Sequence, residues 1–485
     1  MAQSQLESGQ IAAARRTIRD AVQDRDDIAE LQLLRGRIEL AAGSVRTAYE
    51  AYSNALSLDS SNVEALLGVA NLGLQVGRIE ESEDAADRIL TLDPNNISAL
   101  LIKGIHHTIK RKFEDALKDA DAIIAIRPSD EGAVILKARA LALLGRQDEA
   151  YAAVDTAVKA SGETVGLAIT QLELHRRRDE GPEMVAILER LRRLAPNERK
   201  HDIDEANTLY KLGDAPRARA ILQGALVAKP LSDGDAQAIG RLWNEYDPNP
   251  FDAPALRQFA SKAGLAARKV VARFFIDHNQ PDQADAALAG APAGNDVAAL
   301  RARIAVLRGN PADALAKANA ILAGDATHCD ALLAKARASL AVRRGDDAVL
   351  AAQTAAANCP GDPAGYLTLA DAHAQRGDPS GVSLAFRDGF DNNLQDSLFA
   401  RRYVDWLLRN GQKSRALAIA RRLTGAAPAL ISGWQLYGEL CAQQPEARCS
   451  DDAKTGLDAA RHLYGVDLRT GEQGSAGLLG RLPRR

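Results

Sequence analysis

The sequence predicts an all-α chain of stacked helical hairpins, and three observations carry that prediction. A 34-residue period runs through most of the 485 residues, Ala and Leu dominate while aromatic residues make up only 4%, and Gly and Pro recur at fixed places. A β-sandwich would be richer in Val, Thr, Tyr and Phe. The stretch from Val63 to Asn96 shows the grammar. Leu66, Val69 and Ala70 form one apolar stripe, Gly77 marks a turn, and Ser82, Ala86 and Ile89 form the facing stripe before Pro94 stops the second helix. Small residues are required where the helices cross, because only they let two backbones approach closely enough for larger neighbours to interlock. One hairpin cannot bury its own apolar face, so the repeats must stack.

Read in order, residues 1–28 hold a partial repeat, with Gly9 at a turn and Ala12, Ala13, Thr17 and Ala21 on one helical face. Six in-phase repeats fill 29–232, starting at Ala29, Val63, Ile97, Glu131, Val165 and Arg199. Their eighth places read Gly36, Ala70, Gly104, Ala138, Leu172 and Ala206, and their twentieth Ala48, Ser82, Ala116, Ala150, Met184 and Ala218. Over 233–264 the pattern breaks at WNEYDPNPFDAP, an irregular helical joint that reads as a hinge, a dimer contact or a degenerate repeat. Residues 265–464 carry a shortened repeat and five further repeats, from Asn295, Cys329, Pro363, Ser397 and Ile431. The Gly-rich segment 465–485 reads as a flexible tail.

Composition bounds the function. With 46% hydrophobic and 26% charged residues and a formal charge of −3, the chain can bury a core and shows no polyelectrolyte character. Lys and Arg are spread along helices, so no nucleic-acid partner is expected. No apolar run is long enough to span a bilayer. The amino terminus enters a helical pattern at once, which fits a native start or one from which a signal or lipid-anchored segment has been removed.

These columns resemble the tetratricopeptide repeat. The repeat at Ala29 matches its consensus through Gly36, Gly43, Ala48, Tyr52 and Ala55, and the repeat at Pro363 through Tyr366, Leu369, Ala370, Gly377 and Phe386. The resemblance covers nearly the whole chain outside the joint and the tail. It implies a right-handed α-solenoid of tandem helix-turn-helix repeats whose concave groove binds a protein or peptide. It also implies that ninth-place residues line that groove: Arg37, Asn71, Arg139 and Asn207, then Arg303, Arg337, Asp371, Asp405 and Glu439. The later block turns from basic to acidic along this column. Asn71 and Asn207 match places where family members hold a peptide backbone, but Leu67 and Ile203 stand where a chaperone-tail clamp needs Lys. A solvated helix face accounts for any one of these charges taken alone.

The four cysteines fall in two pairs. Cys329 opens a first helix and Cys359 closes its partner, while Cys441 and Cys449 flank one turn, so each pair is opposed in an antiparallel hairpin and within disulfide reach. Four buried thiols are the alternative. Disulfides would imply an oxidising compartment, for this composition the bacterial periplasm or outer-membrane surface; reduced thiols would imply the cytoplasm. No CxxC or Cys/His spacing suits zinc, and the adjacent His106 and His107 point about 100° apart on a helix. No phosphate loop, GxSxG, HExxH or dinucleotide motif occurs. The expectation is a non-enzymatic scaffold without cofactor, serving assembly or export of envelope components. The alternatives are a cytoplasmic adaptor or co-chaperone-like regulator, and the recruiting subunit of a separate enzyme. The sequence does not fix an oligomeric state.

Overall fold

In a computed structural model, residues 1–228, 232–444 and 449–462 are described; they form 28 α-helices and no strand. The expected tail, 465–485, lies outside these residues. The chain divides into two compact bodies, one up to Arg178 and one from Asp179 onward. The division falls between the two helices of the repeat that begins at Val165.

The amino-terminal body opens with a short α1 (Ala2–Glu7) and α2 (Ile11–Asp24). Hairpins follow as α3 (Ala29–Ala41) with α4 (Val45–Leu58), α5 (Val63–Val76) with α6 (Ile79–Leu92), and α7 (Ile97–Ile109) with α8 (Phe113–Ile126). The body ends in α9 (Glu131–Leu143), α10 (Gln147–Ser161) and α11 (Val165–Arg178). The two helices of each pair from α3–α4 to α9–α10 pack on each other, and each second helix packs on the first helix that follows it.

In the carboxyl-terminal body, α12 (Gly181–Leu194), α13 (Arg199–Lys211) and α14 (Ala215–Ala228) precede the joint helices α15 (Asp233–Tyr246) and α16 (Ala253–Lys262). The shortened repeat is α17 (Leu265–Asp277) with the seven-residue α18 (Pro281–Ala287). Regular pairs resume as α19 (Asn295–Leu307) and α20 (Pro311–Leu322), α21 (Cys329–Ala341) and α22 (Gly345–Asn358), and α23 (Pro363–Gln375) and α24 (Pro379–Asn392). The last pairs are α25 (Ser397–Arg409) with α26 (Lys413–Ala426), and α27 (Ile431–Gln443) with α28 (Ser450–His462).

Three places of the repeat explain why these residues fold this way. The last place caps the next helix: Asn62, Asn96 and Asp130 accept from the backbone N–H groups of Ala65, Ala99 and Ala133 at 3.0, 3.1 and 3.0 Å, each contributing about 1 kcal/mol. The eighth place sets the crossing. A Cβ on Gly36 would lie 2.8 Å from the Tyr52 ring, which packs across that glycine. The fifteenth place is the left-handed turn, taken by glycine at Gly77 (φ +80°) but by Arg111, Asp179, Asn279 and Arg343 (φ +57° to +60°) in other repeats.

The joint is part of a hydrophobic core. Trp243 is fully buried, edge-on to Phe251 and Phe274 at ring-centroid distances of 5.9 and 5.0 Å. Asp247, just after α15, is buried, receives both Arg219 nitrogens at 2.9 and 3.0 Å, and accepts from Tyr210 Oη at 3.0 Å. One cluster runs from Val185 through these aromatic residues to Ile304, so the irregular letters pack as tightly as the regular ones.

Candidate partner-binding faces

The ninth-place residues lie on first helices, and the structure gives them three different surroundings. In the amino-terminal body Arg37 and Asn71 remain near solvent, whereas the Arg139 side chain is only 14% exposed. Arg37 is half-exposed and pairs with Glu64 of the next hairpin. Asn71 donates to its own helix at Leu67 O, 2.8 Å away, and Arg139 meets Glu173 at 3.2 Å.

At the start of the carboxyl-terminal body the same column is buried. Asn207 is 3% exposed and Arg303 1%. Arg303 donates through Nη1 to Asp330 Oδ1 at 2.7 Å and through Nη2 to Asp277 Oδ1 at 2.6 Å. Arg273 donates to Asp330 Oδ2 through Nη2 at 2.7 Å and Nε at 3.0 Å. Burial raises the Asp330 carboxyl, but the Arg303 and Arg273 guanidiniums outweigh it and hold the group at about 2. Asp362, which caps α23 at the Ala364 N–H (2.9 Å), is driven the other way by burial and by Asp277. Arg337 donates to Thr368 Oγ1 at 3.3 Å, and burial followed by the neighbouring Arg303 pulls its guanidinium below the usual range.

Towards the end of the column the acids are exposed. Asp371 receives Arg402 at 3.1 Å, Glu439 receives Arg401 at 2.5 Å, and Asp405 is open to solvent. Along the column, Arg303, Asp371 and Glu439 therefore pair with charges of neighbouring repeats, Arg303 inside and the two acids outside, while Arg337 bonds a hydroxyl. Register alone could have found Asp330, at the second place of its repeat, and Arg273, at the ninth place of the shortened one. The burial of Asp330 had no sequence signal.

The structure joins Cys329 to Cys359 and Cys441 to Cys449, with Cα separations of 6.4 and 5.5 Å. His106 is fully buried, with Nε2 3.0 Å from Ser82 Oγ, and burial lowers its basicity. His107 Nδ1 lies 2.6 Å from Asp119, and His328 caps α21 while touching Asp296 at 3.0 Å. Among the described residues no group of three or more His, Cys, Asp or Glu side chains is placed to hold a metal ion, and no helix is long and apolar enough to cross a membrane.

A second set of residues was invisible in the sequence because its members lie 154 to 249 positions apart. Lys211, at the end of α13, donates to Ala460 O at 2.7 Å and Ala429 O at 3.4 Å. Glu245 of α15 accepts from the Ser432 N–H at 2.8 Å and its hydroxyl at 2.5 Å, and Arg241 donates to Gln395 Oε1 at 3.3 Å. The carboxyl-terminal body thus closes on itself, with a small recess of about 30 Å³ at the seam.

Paired antiparallel helices at a 34-residue interval, broken at the joint and the shortened repeat, define an all-α solenoid, a fold class whose stacked first helices form protein-interaction surfaces. Residues 1–48 and 33–97 match the family model described as tetratricopeptide repeat. Similar solved structures include a thermophilic TPR protein of Thermus thermophilus, 19% identical over 38% of this chain and 99% of that one (TM-score 0.34). A tetratricopeptide repeat protein from Parabacteroides merdae is 13% identical over 65% of this chain and 98% of that one (TM-score 0.33). PilW, described as a widely conserved type IV pilus biogenesis factor, is 19% identical over 41% and 91% (TM-score 0.36). No curated protein sequence matches the chain.

Proposed function

We propose that this chain is a non-enzymatic scaffold of the bacterial cell envelope that holds a protein or peptide partner on its first-helix faces during assembly or export of envelope components. The two cysteine pairs carry the location: each staples a single hairpin, and such bridges persist in oxidising compartments. The partner faces are the solvent-accessible stretches of the ninth-place column, Arg37 and Asn71, with the less exposed Arg139 beside them, at one end and Asp371, Asp405 and Glu439 at the other. The ion pairs of Arg37, Asp371 and Glu439 are exposed, worth roughly 0 to 1 kcal/mol each, and a partner can exchange them at little cost.

Two measurements test this reading. Alkylation and mass spectrometry on protein from its native host should find four protected sulfurs, paired 329 with 359 and 441 with 449; four free thiols would place the chain in the cytoplasm and favour an adaptor role. A photo-crosslinking residue at Asn71 or Asp405 should capture one envelope protein in the host. Failure of both positions to capture a partner would remove the scaffold reading.

A further inference from the structure

The two disulfides differ in what surrounds them. Cys441 and Cys449 are 1% and 6% exposed and belong to the hydrophobic cluster that runs from Ala356 to Ala453. Cys329 and Cys359 are both partly exposed. Access to sulfur is the first condition for thiol–disulfide exchange, so a reductant the size of a protein can approach this bridge and not the other.

Its two sulfurs are also unlike as leaving groups. Cys329 is the first residue of the 13-residue α21, where the positive end of the helix dipole stabilises a thiolate and favours its departure. Cys359 directly follows α22, at the negative end of that helix, where a thiolate is disfavoured. The neighbouring acid does not offset this difference, since the Asp330 carboxylate is bound by Arg303 and Arg273.

The bridge joins two segments that place buried charges. Cys329 precedes Asp330. On the other side, the Cys359 carbonyl accepts from the Asp362 N–H at 3.0 Å, Pro360 O accepts from Asn393 at 3.2 Å, and Asp362 caps α23.

We infer that Cys329–Cys359 is an exchange site for a dithiol oxidoreductase, and that Cys359 is the sulfur attacked. A thiolate of the partner attacks Cys359 Sγ, the Sγ–Sγ bond breaks, and its electron pair leaves on Cys329 Sγ. A mixed disulfide then joins Cys359 to the partner. The partner's second thiolate attacks its own sulfur in that mixed disulfide, and Cys359 leaves as a thiolate. The two protons lost by the partner's thiols return, through water, to Cys329 and Cys359. The chain ends with two thiols and the partner with one disulfide, so two electrons have passed from partner to chain. Opening the bridge unties α21 from the end of α22 and loosens the segments that hold Asp330 and Asp362. The reaction does not depend on what the first-helix faces bind, so it goes beyond the partner-binding reading and fails separately from it.

The experiment uses the oxidised full chain and a CxxC dithiol oxidoreductase in two forms. The unmodified enzyme, reduced and in excess, should open Cys329–Cys359 at least about 10-fold faster than Cys441–Cys449. A form whose second cysteine is replaced by serine stops at the mixed disulfide. Mass spectrometry, with free thiols alkylated, should then find the partner on Cys359 and the alkyl group on Cys329. Equal opening of the two bridges, an adduct on Cys329, an even split or no adduct overturns the inference. In the trapped adduct the Ala331 and Ala364 amides, which bond His328 and Asp362, should exchange hydrogen at least about 3-fold faster than in the oxidised chain. Unchanged exchange would remove the link to the buried charges.

Discussion

The two bodies use the same repeat to different ends. In the amino-terminal body each hairpin answers only to its neighbours, and the ninth-place charges pair near the surface, as Arg37 does with Glu64. In the carboxyl-terminal body the same column carries Arg303 inward onto Asp330 and Asp277, two disulfides staple the hairpins, and α13 and α15 reach residues near the far end of the body. One place in a repeat can therefore be a solvated face or a buried polar core. What decides is how far the stack curls back on itself, since curling removes water from the face it encloses.

The sharpest way to break that contrast is to remove one buried charge. Asp330→Ala leaves Arg303 and Arg273 short of their shared anion and should cost the carboxyl-terminal body about 3 to 5 kcal/mol. Glu64→Ala in the other body should cost about 1 kcal/mol or less, because its pair is solvated. Both are read from denaturant midpoints of the two transitions. Equal losses would erase the distinction between the bodies.

Next in size are the staples. Cys329→Ser with Cys359→Ser opens a loop of 30 residues and should destabilise the carboxyl-terminal body by about 3 kcal/mol. The amino-terminal transition should not move, and reductant, which opens both bridges, should lower the stability of the wild-type carboxyl-terminal body by at least as much.

Acid should act first on His106 in the amino-terminal body. Burial lowers its pKa in the fold below the usual 6.5, so below that value the unfolded chain binds the proton more readily. Stability is then intact above about 6.5 and falls as pH drops, with a slope of at most about 1.4 kcal/mol per pH unit for one proton. Thermal melts between pH 7 and 5 should show this slope in the wild type and not in His106→Leu. In the carboxyl-terminal body Asp330 works at lower pH. Its depressed pKa contributes stability that is present above its ordinary value of 3.8 and lost as pH falls towards 2.

The smallest effect is shared by both bodies. Arg111 and Arg343 hold the left-handed turn at φ +60° and +59° where other repeats have glycine. Arg111→Gly and Arg343→Gly should each stabilise by about 1 kcal/mol, whereas Gly77→Ala should destabilise by a similar amount, as midpoint shifts would show. Here the two bodies should agree, since the turn is local.

That agreement marks what could be read from letters. The hairpin borders, the turn glycines, the shortened helix α18 and the opposed cysteines all follow from places within one repeat, and the sequence exposes such places directly. The column of candidate groove residues was also legible as a column: every member lies on a first helix. Its division into exposed and buried members was not, because Arg37 and Arg303 occupy the same place and differ only in what encloses them. The joint was read as a break in pattern, yet Trp243, Phe251 and Phe274 make it part of a continuous core, a packing that no periodicity encodes.

By itself the sequence determined the class of fold, the register and the pairing geometry of the cysteines, because each depends on spacings of 34 residues or fewer that local backbone geometry enforces. Only the tertiary structure decided that Arg303 shares Asp330 with Arg273, that Lys211 meets Ala460, and that Glu245 grips Ser432. Those contacts arise from small rotations added hairpin upon hairpin. Their sum brings distant residues together where no single spacing in the chain records it.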